Sequence, residues 1–312
     1  MSKPLQACVY TAVGAFILTA CGTGGSDTGG DKNLPNRGFV PYTFSPAKVG
    51  QTNPFVAENS VTFRTPMAIL DGDKTMVYAA RCPGDSPCEI VAASLTTNHV
   101  FGTLQTVCTD DAGLEHPMVT THGSAATLWL IANQGREIRS APLDAQGKCG
   151  AFSRHRTAEP DQQFFALNVI RDGAAILLVY GQQDSDRRRW VVHAIGEITS
   201  RPLFDCNVDE LCTNSTQWVD LELRAAQTAL GRKYWRGLAL RSGGRSRTAV
   251  DYFTQNEQLV VAPYPFRPAF EVDFVLESAS QLRVGDQFLM FGERAGSIIF
   301  GVNADGAPSD RF

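Results

Sequence analysis

Apolar and polar positions alternate with period two along most of the chain beyond residue 60, and no long stripe at helical spacing interrupts them. That alternation predicts β-strands. Only the stretch from Asp220 to Thr228 also admits a helix, and it reads equally well as an edge strand. The strands come in a recurring order. A turn leads into an apolar strand at Asp71–Asp73 then Thr75–Ala80, at His122–Ser124 then Thr127–Ala132, and at Asp172–Gly173 then Ala175–Tyr180. The pattern returns at Gly285–Asp286 then Gln287–Phe291, with a weaker copy at Gly231 before Tyr234–Leu240. A second strand follows each: Glu89–Leu95, Glu137–Leu143, Trp190–Ile195, Thr248–Phe253 and Ser297–Val302. Further turns at Asn98, Gly147, Gly196, Asn256 and Gly306 are spaced by 49, 49, 60 and 50 residues.

A fixed period near 50 residues with four short strands per unit fits the blade of a β-propeller. One such sheet cannot bury both faces alone. Five packed radially bury each face against a neighbour, which explains strands apolar on both sides, such as Ala175–Tyr180. The expected fold is therefore all-β, a propeller of five four-stranded blades at about 66–108, 117–156, 164–206, 218–262 and 270–312. Residues 38–62 are expected to close the last blade, to cap the fold or to build an extra blade. A pair of β-sandwiches is the competing architecture, though it does not require the period.

Before residue 38 the pattern changes. An apolar run from Val9 to Ala20 follows Lys3. It falls short of the roughly 20 residues that span a bilayer and reads as the core of a signal peptide. It ends Leu18-Thr19-Ala20-Cys21, which resembles the lipobox of bacterial lipoproteins. The resemblance implies cleavage before Cys21 and lipidation of Cys21, which gives a membrane anchor. The alternative is an ordinary secreted protein cut after Ala20. Gly22 to Asp31 holds five glycines and no apolar residue, so it is expected to be a flexible tether. The organisation expected is residues 1–20 as signal peptide, 21–37 as lipidated Cys and tether, and 38–312 as propeller. Gly22 after Cys21, by similarity to lipoprotein sorting patterns, favours the outer membrane of a bacterial envelope.

The remaining cysteines agree with export. With Cys8 in the signal peptide, Cys82, Cys88, Cys108, Cys149, Cys206 and Cys212 are left, even in number and suited to three disulfides. Cys82 and Cys88 enclose two Pro and a Gly, a sharply turning loop, and Cys206 and Cys212 repeat the same spacing. Cys108 and Cys149 are left for each other. Zinc is the competing reading, disfavoured because no C-x2-C pair or neighbouring His cluster is present.

The openings Thr65-Pro66-Met67 and His116-Pro117-Met118, and the stretch Arg171 to Gly181, resemble blades of arabinanase- and sialidase-like propellers. Arabinanase-like enzymes place three carboxylates on inner strands around the central axis, and the resemblance implies a polysaccharide-directed site there. The family's first acid would fall at Thr65 and another in the region Phe164-Phe165-Ala166, where this chain has none. Glu115 and Asp161 are the acids nearest to blade openings and the only catalytic candidates. The sialidase Asp-box is represented only by a fragment at Asn303–Gly306. This departure favours a binding role over catalysis, with a divergent glycoside hydrolase and an envelope-complex scaffold as alternatives.

Net charge is −4 with a pI near 5.8, which argues against nucleic acid. Yet 22 of the 28 basic residues are Arg, and Leu223 to Val250 contains seven basic residues and no acid. A local basic face suits an anionic glycan or an envelope protein, with His116, Arg232, Lys233, Tyr234, Trp235 and Arg236 as binding candidates. The bland alternative is a solvated blade whose Arg stems cover apolar surface. Arg187–Arg189 reads as an exposed hairpin tip. Asp71–Asp73 and Asp184–Asp186 could offer oxygens to calcium but are ordinary turn residues. No cofactor and no metal site is expected.

Overall fold

The computed structural model describes residues 53–172, 175–185, 187–197, 199–203, 218–227, 233–241, 246–255, 258–261, 267–271, 276–285 and 287–303. The signal peptide, Cys21, the tether, Arg232, Cys206 and Cys212 lie outside these residues.

The chain forms five antiparallel sheets in sequence order. The first blade holds β1 (Val61–Asp71), β2 (Lys74–Pro83), β3 (Glu89–Leu95) and β4 (Gln105–Cys108). The second holds β5 (Leu114–His122), β6 (Ala125–Ala132), β7 (Glu137–Leu143) and β8 (Ser153–Thr157). The third holds β9 (Gln163–Asp172), β10 (Ala175–Gln183), β11 (Arg188–Ala194) and β12 (Arg201–Pro202). The fourth holds β13 (Trp218–Gln227), β14 (Lys233–Arg241), β15 (Ser246–Gln255), β16 (Gln258–Val261) and β17 (Arg267–Glu271). The fifth holds β18 (Ala279–Val284), β19 (Gln287–Arg294) and β20 (Ser297–Asn303).

The innermost strands touch in a closed cycle, β1 to β5 to β9 to β13 to β18 and back to β1. This is a five-bladed β-propeller. A β-sandwich pair would not close such a ring. The stretch from Asp220 is strand and not helix; it belongs to β13, the end strand of the blade-four sheet, which pairs with β14 and turns its free edge toward the axis. Burial decides the outcome, because Trp218, Leu221, Glu222 and Leu223 are all shielded from solvent.

Two expected boundaries shift. Blade four is expected to end at 262 and blade five to start at 270, but β17 (Arg267–Glu271) spans that start and pairs with β15. It continues the outer edge that β16 occupies further along β15, so blade four has an outer strand in two pieces. Among the described residues blade five begins at Ala279 and holds three strands. The segment before blade one closes it. The Asn53 amide donates to the Ile298 carbonyl, Ile298 N–H donates to Phe55 O, and Phe63 N–H donates to Gly296 O. Phe55, completely buried, packs edge-on to Phe63 and Phe101 and fastens the first and last blades through one apolar cluster.

A disulfide joins Cys82 to Cys88 across the β2–β3 turn, and another joins Cys108 at the end of β4 to Cys149 before β8. The second ties the outer edge of blade one to blade two.

Candidate functional site

Three inner strands bend at the same place. In β1, β5 and β9 a bulge interrupts pairing, at Thr65-Pro66, at His116-Pro117 and at Ala166-Leu167, where two residues oppose one on the next strand. Proline suits a bulge because it has no N–H to give a ladder. Thr65, His116 and Ala166 all adopt positive φ, at 48°, 51° and 48°. A β-branched Thr in that region is strained by about 1–3 kcal/mol, and such strain gathers at functional positions. In β13 the register also slips, between Trp218 and Asp220.

The bulges surround a depression at one end of the ring. All five inner strands contribute: Thr65–Met67, His116–Met118, Leu167–Asn168, Asp220–Glu222 and Ala279. It encloses about 360 Å³, counting the space open to solvent.

Neighbouring inner strands do not form ladders with each other, so side chains satisfy their free amides. Thr65 Oγ1 accepts from His116 N at 3.1 Å, and Met67 Sδ from Val119 N at 3.1 Å. Asn168 spans blades three and four: its Oδ1 accepts from Leu223 N at 2.8 Å, and its Nδ2 donates to Leu221 O. Asp220 Oδ2 accepts from Ala279 N at 3.0 Å, and Glu222 Oε2 from Gln281 N at 2.8 Å. Ser280 Oγ accepts from Ala68 N at 3.0 Å.

Two carboxylates line the depression, Asp220 and Glu222. Residues two apart on a strand face the same side, with α-carbons about 6.6 Å apart. Glu222 is buried, accepts from Ser280 Oγ at 2.8 Å and pairs with Arg224 at 2.5 Å. Arg224 in turn donates to Ala68 O at 2.8 Å. A third acid sits behind Thr65. Glu293 Oε2 accepts from Thr65 N at 2.8 Å and from Ser278 Oγ at 2.6 Å. Burial and the nearby Glu277 push the Glu293 carboxyl up to about 7, against the lowering effect of these bonds. Burial pushes the His116 imidazole down to about 4, so it is neutral at neutral pH.

Neither catalytic candidate read from the sequence lines the depression. Glu115 precedes the bulge, with Oε1 at 4.0 Å from Arg64 Nη1, and Asp161 is exposed in the turn before β9. Of the binding candidates, His116 lines the depression and Trp235 packs against the apolar cluster of blades three and four. Lys233, Tyr234 and Arg236 lie on β14, opposite Gln227, Ala226 and Arg224. The absence of the family's acids at Thr65 and Phe164–Ala166 favoured binding over catalysis, yet the depression holds a carboxylate pair, Asp220 and Glu222. The sequence carried their signal, since Asp220, Glu222 and Arg224 alternate with Leu221 and Leu223 in a strand otherwise buried on both faces. Among the described residues, Cys82, Cys88 and Glu115 are the one group of three residues able to offer metal ligands close together. Both sulfurs are committed to a disulfide, so they are not a zinc site.

No protein-family model and no curated relative matches the chain. Solved structures do. A family 117 glycoside hydrolase from the marine bacterium Zobellia galactanivorans superposes with a TM-score of 0.58 at 12% identity, covering 85% of this chain and 91% of that one. A GH43 β-xylosidase/α-arabinofuranosidase from a compost microbial metagenome, in complex with xylotriose, gives 0.55 at 9% identity, covering 80% and 92%. A GH43_1 enzyme from Xanthomonas citri complexed with xylotriose gives 0.53 at 12% identity, covering 80% and 89%. At these identities the likeness establishes the propeller fold.

Proposed function

We propose that the axial depression is a carbohydrate site and that the chain is a divergent glycoside hydrolase acting on polysaccharide. The observation that carries this reading is the presence of Asp220 and Glu222 together on the wall of the depression. Glycoside cleavage needs a proton donor and a second carboxylate a few ångströms away. Asp220 is the group assigned to move the proton, because it is only partly buried. Glu222, held by Arg224, Ser280 and Gln281, supplies fixed negative charge beside it. His116, Thr65 and Asn168 complete a polar wall that can meet sugar hydroxyls. The likeness to xylotriose-bound propellers supports a glycan over another ligand class. The lipobox supports a location on the bacterial envelope, anchored through Cys21, with the depression offered to envelope or extracellular glycan.

A binding site without turnover is the second reading. The bonds that engage Thr65, Asn168 and Glu222 between blades favour it. One experiment separates the two. Reducing-sugar release from xylan, arabinan and galactan is measured beside thermal shift for the wild type and Asp220→Asn. General acid–base catalysis contributes about 10²–10⁴-fold, and a loss of that size at unchanged melting temperature supports the hydrolase. Thermal shift by a glycan without any sugar release supports the binding module. Equal release by both proteins removes Asp220 from the mechanism.

A further inference from the structure

Blades two and three enclose a second polar cluster, in the outer part of the cleft between them and away from the axis. Register fixes which side chains face it. On blade three, Leu177, Val179, Trp190 and Val192 pack with Trp218 and Leu221 of blade four. The alternate positions Leu178, Tyr180, Val191 and His193 therefore face blade two, and the first three share its core cluster. On blade two, Ser140 stands opposite Trp129 of β6, and Ile138 stands opposite Arg156 of β8. Ser140 and Ile138, two apart on β7, share one face. Arg139, between them, turns the other way and meets Asp110 at 3.1 Å. His155 is the extra residue of a bulge in β8, between Arg154 and Arg156. A bulge re-aims a side chain. Here it brings His155 to the same face as Arg156, where its ring meets Trp129 at 4.9 Å and its Nε2 lies 2.8 Å from Ser140 Oγ.

The opposite wall answers with polar groups of its own. Tyr180 Oη lies 3.2 Å from Ser200 Oγ, and Ser200 Oγ lies 3.4 Å from His193 Nδ1. Tyr180 and His193 are buried. What the cluster lacks is negative charge. Arg156 Nε is buried and has no hydrogen-bond partner. Among the described residues no carboxylate lies within ion-pair distance of the Arg156 guanidinium. Glu137 is taken by Arg139 and Arg154, and Glu197, in the turn after β11, by Arg201. Burial lowers the His155 imidazole. Burial, then the Arg156 charge and more weakly His155, lower His193 against the raising effects of Glu197 and a hydrogen bond to the Thr199 backbone. Both imidazoles are therefore neutral at neutral pH. A buried donor without an acceptor is rare in native proteins and calls for a partner, an ion among them.

The geometry points to this cleft as a binding site for a tetrahedral oxyanion, a sulfate or phosphate group, held between Arg156 and His155 of blade two and His193 and Ser200 of blade three. The edge of a guanidinium takes two oxygens side by side. Donors on two facing walls suit oxygens that point in four directions better than the two coplanar oxygens of a carboxylate. The anion supplies the counter-charge that Arg156 lacks, so it favours the protonated form of both imidazoles. By linkage, protons then strengthen the binding of the anion. The site lies apart from the axial depression and does not depend on the carbohydrate reading.

The test uses the full chain made in an oxidising compartment and isothermal titration with sodium sulfate at constant ionic strength, at pH 5 and pH 8. Sulfate keeps its charge across that range, so a pH effect belongs to the protein. One site per chain is expected, with affinity at least tenfold higher at pH 5. Arg156→Gln is expected to abolish binding at both pH values. The His155→Gln/His193→Gln pair is expected to keep the binding at pH 8 and to lose the gain at pH 5. Arg154→Gln, on the opposite face of β8, is the charge-matched control and is expected to change nothing. Imidazole titration by NMR needs no variant: saturating sulfate should raise the pKa of both His155 and His193. Inorganic phosphate at pH 8 tells which of the two groups is preferred, and binding of either upholds the site. Absence of binding by both overturns it. So does sulfate binding that survives Arg156→Gln, an equal loss in Arg154→Gln, histidine titration unmoved by the bound anion, or formate binding as tightly as sulfate.

Discussion

Between blades one and two, the free amides of β5 are met by Thr65 Oγ1 and Met67 Sδ. Between blades four and five and between five and one, the same task falls to Asp220, Glu222, Ser280 and Glu293. The geometric problem is identical at each junction, since strands around an axis leave amides that no ladder takes up. The chemistry differs. The first junction is sulfur, hydroxyl and apolar packing around Met67, Met118, Val119 and Leu128. The others bury carboxylates. Those carboxylates cost desolvation that the first junction avoids, so their retention next to the depression is what a site requiring negative charge would select. The carboxylates of the proposed site stand in the polar sector of the ring, while Thr65, Met67, His116 and Met118 line it from the sector closed by apolar packing.

The contrast is broken most severely at Glu222. Glu222→Ala leaves Arg224 without its carboxylate, and leaves Ser280 Oγ and Gln281 N without their acceptor. Breaking one partner out of a buried pair costs about 3–5 kcal/mol. Urea denaturation should therefore show a clearly lowered midpoint at pH 7. A cost below about 1 kcal/mol would place Glu222 in the class of surface ion pairs, and the polar sector would lose its structural meaning.

Glu293 sharpens the contrast through pH. Its carboxyl is raised from 4.5 to about 7 in the folded protein, so between these values the folded state holds a proton that the unfolded state has released. Stability from this group is present at low pH and is lost as pH rises from about 4.5 to 7. A raise of that size corresponds to something on the order of 3 kcal/mol. His116 acts in the opposite direction. Its imidazole is lowered from 6.5 to about 4, so stability is present above 6.5 and is lost as pH falls toward 4. Comparing urea midpoints of the wild type and Glu293→Gln at pH 5 and pH 8 isolates the first effect. The wild type should gain on the variant by roughly 2–3 kcal/mol on going to pH 5. A constant difference between the two proteins would mean that Glu293 does not titrate in this range.

The ring was legible in the sequence because it is written in local signals. Turn glycines and aspartates, apolar runs and the 50-residue period locate the second and third strand of every blade. The outer edge of blade four was legible only in its first piece, β16, which falls inside the expected 218–262. Residues 267–271 hold three apolar residues between Arg267 and Glu271, and only their pairing with β15 assigns them to blade four. The site was half legible. Thr65-Pro66 and His116-Pro117 mark two bulges through their prolines, whereas Ala166-Leu167 makes the third without one. Asp220 and Glu222 were not legible as site residues because their partners, Ala279, Ser280 and Gln281, lie almost sixty residues away. Acids in an apolar strand look like edge residues until the blade that covers them is known. Glu115 drew attention for the opposite reason. It stands beside a recognisable motif, but on the ladder side of the bulge, where it meets Arg64 and not the depression.

The smallest effect is expected at Met67, and it tests the other half of the contrast. Met67 is 5% exposed, lines the floor of the depression and accepts Val119 N through Sδ. A thioether is a weak acceptor, so the junction should owe more to its packing than to that bond. Met67→Leu conserves volume and discards the sulfur, a change that costs under about 1.5 kcal/mol in well-packed cores. Thermal or urea unfolding should place the variant within that limit, with the same midpoint difference at pH 5 and pH 8, because neither side chain titrates. A loss as large as that of Glu222→Ala would show that the amide of Val119 depends on its sulfur partner. Both sectors of the ring would then be governed by polar closure, and the carboxylates of blades four and five would need no separate, site-directed explanation.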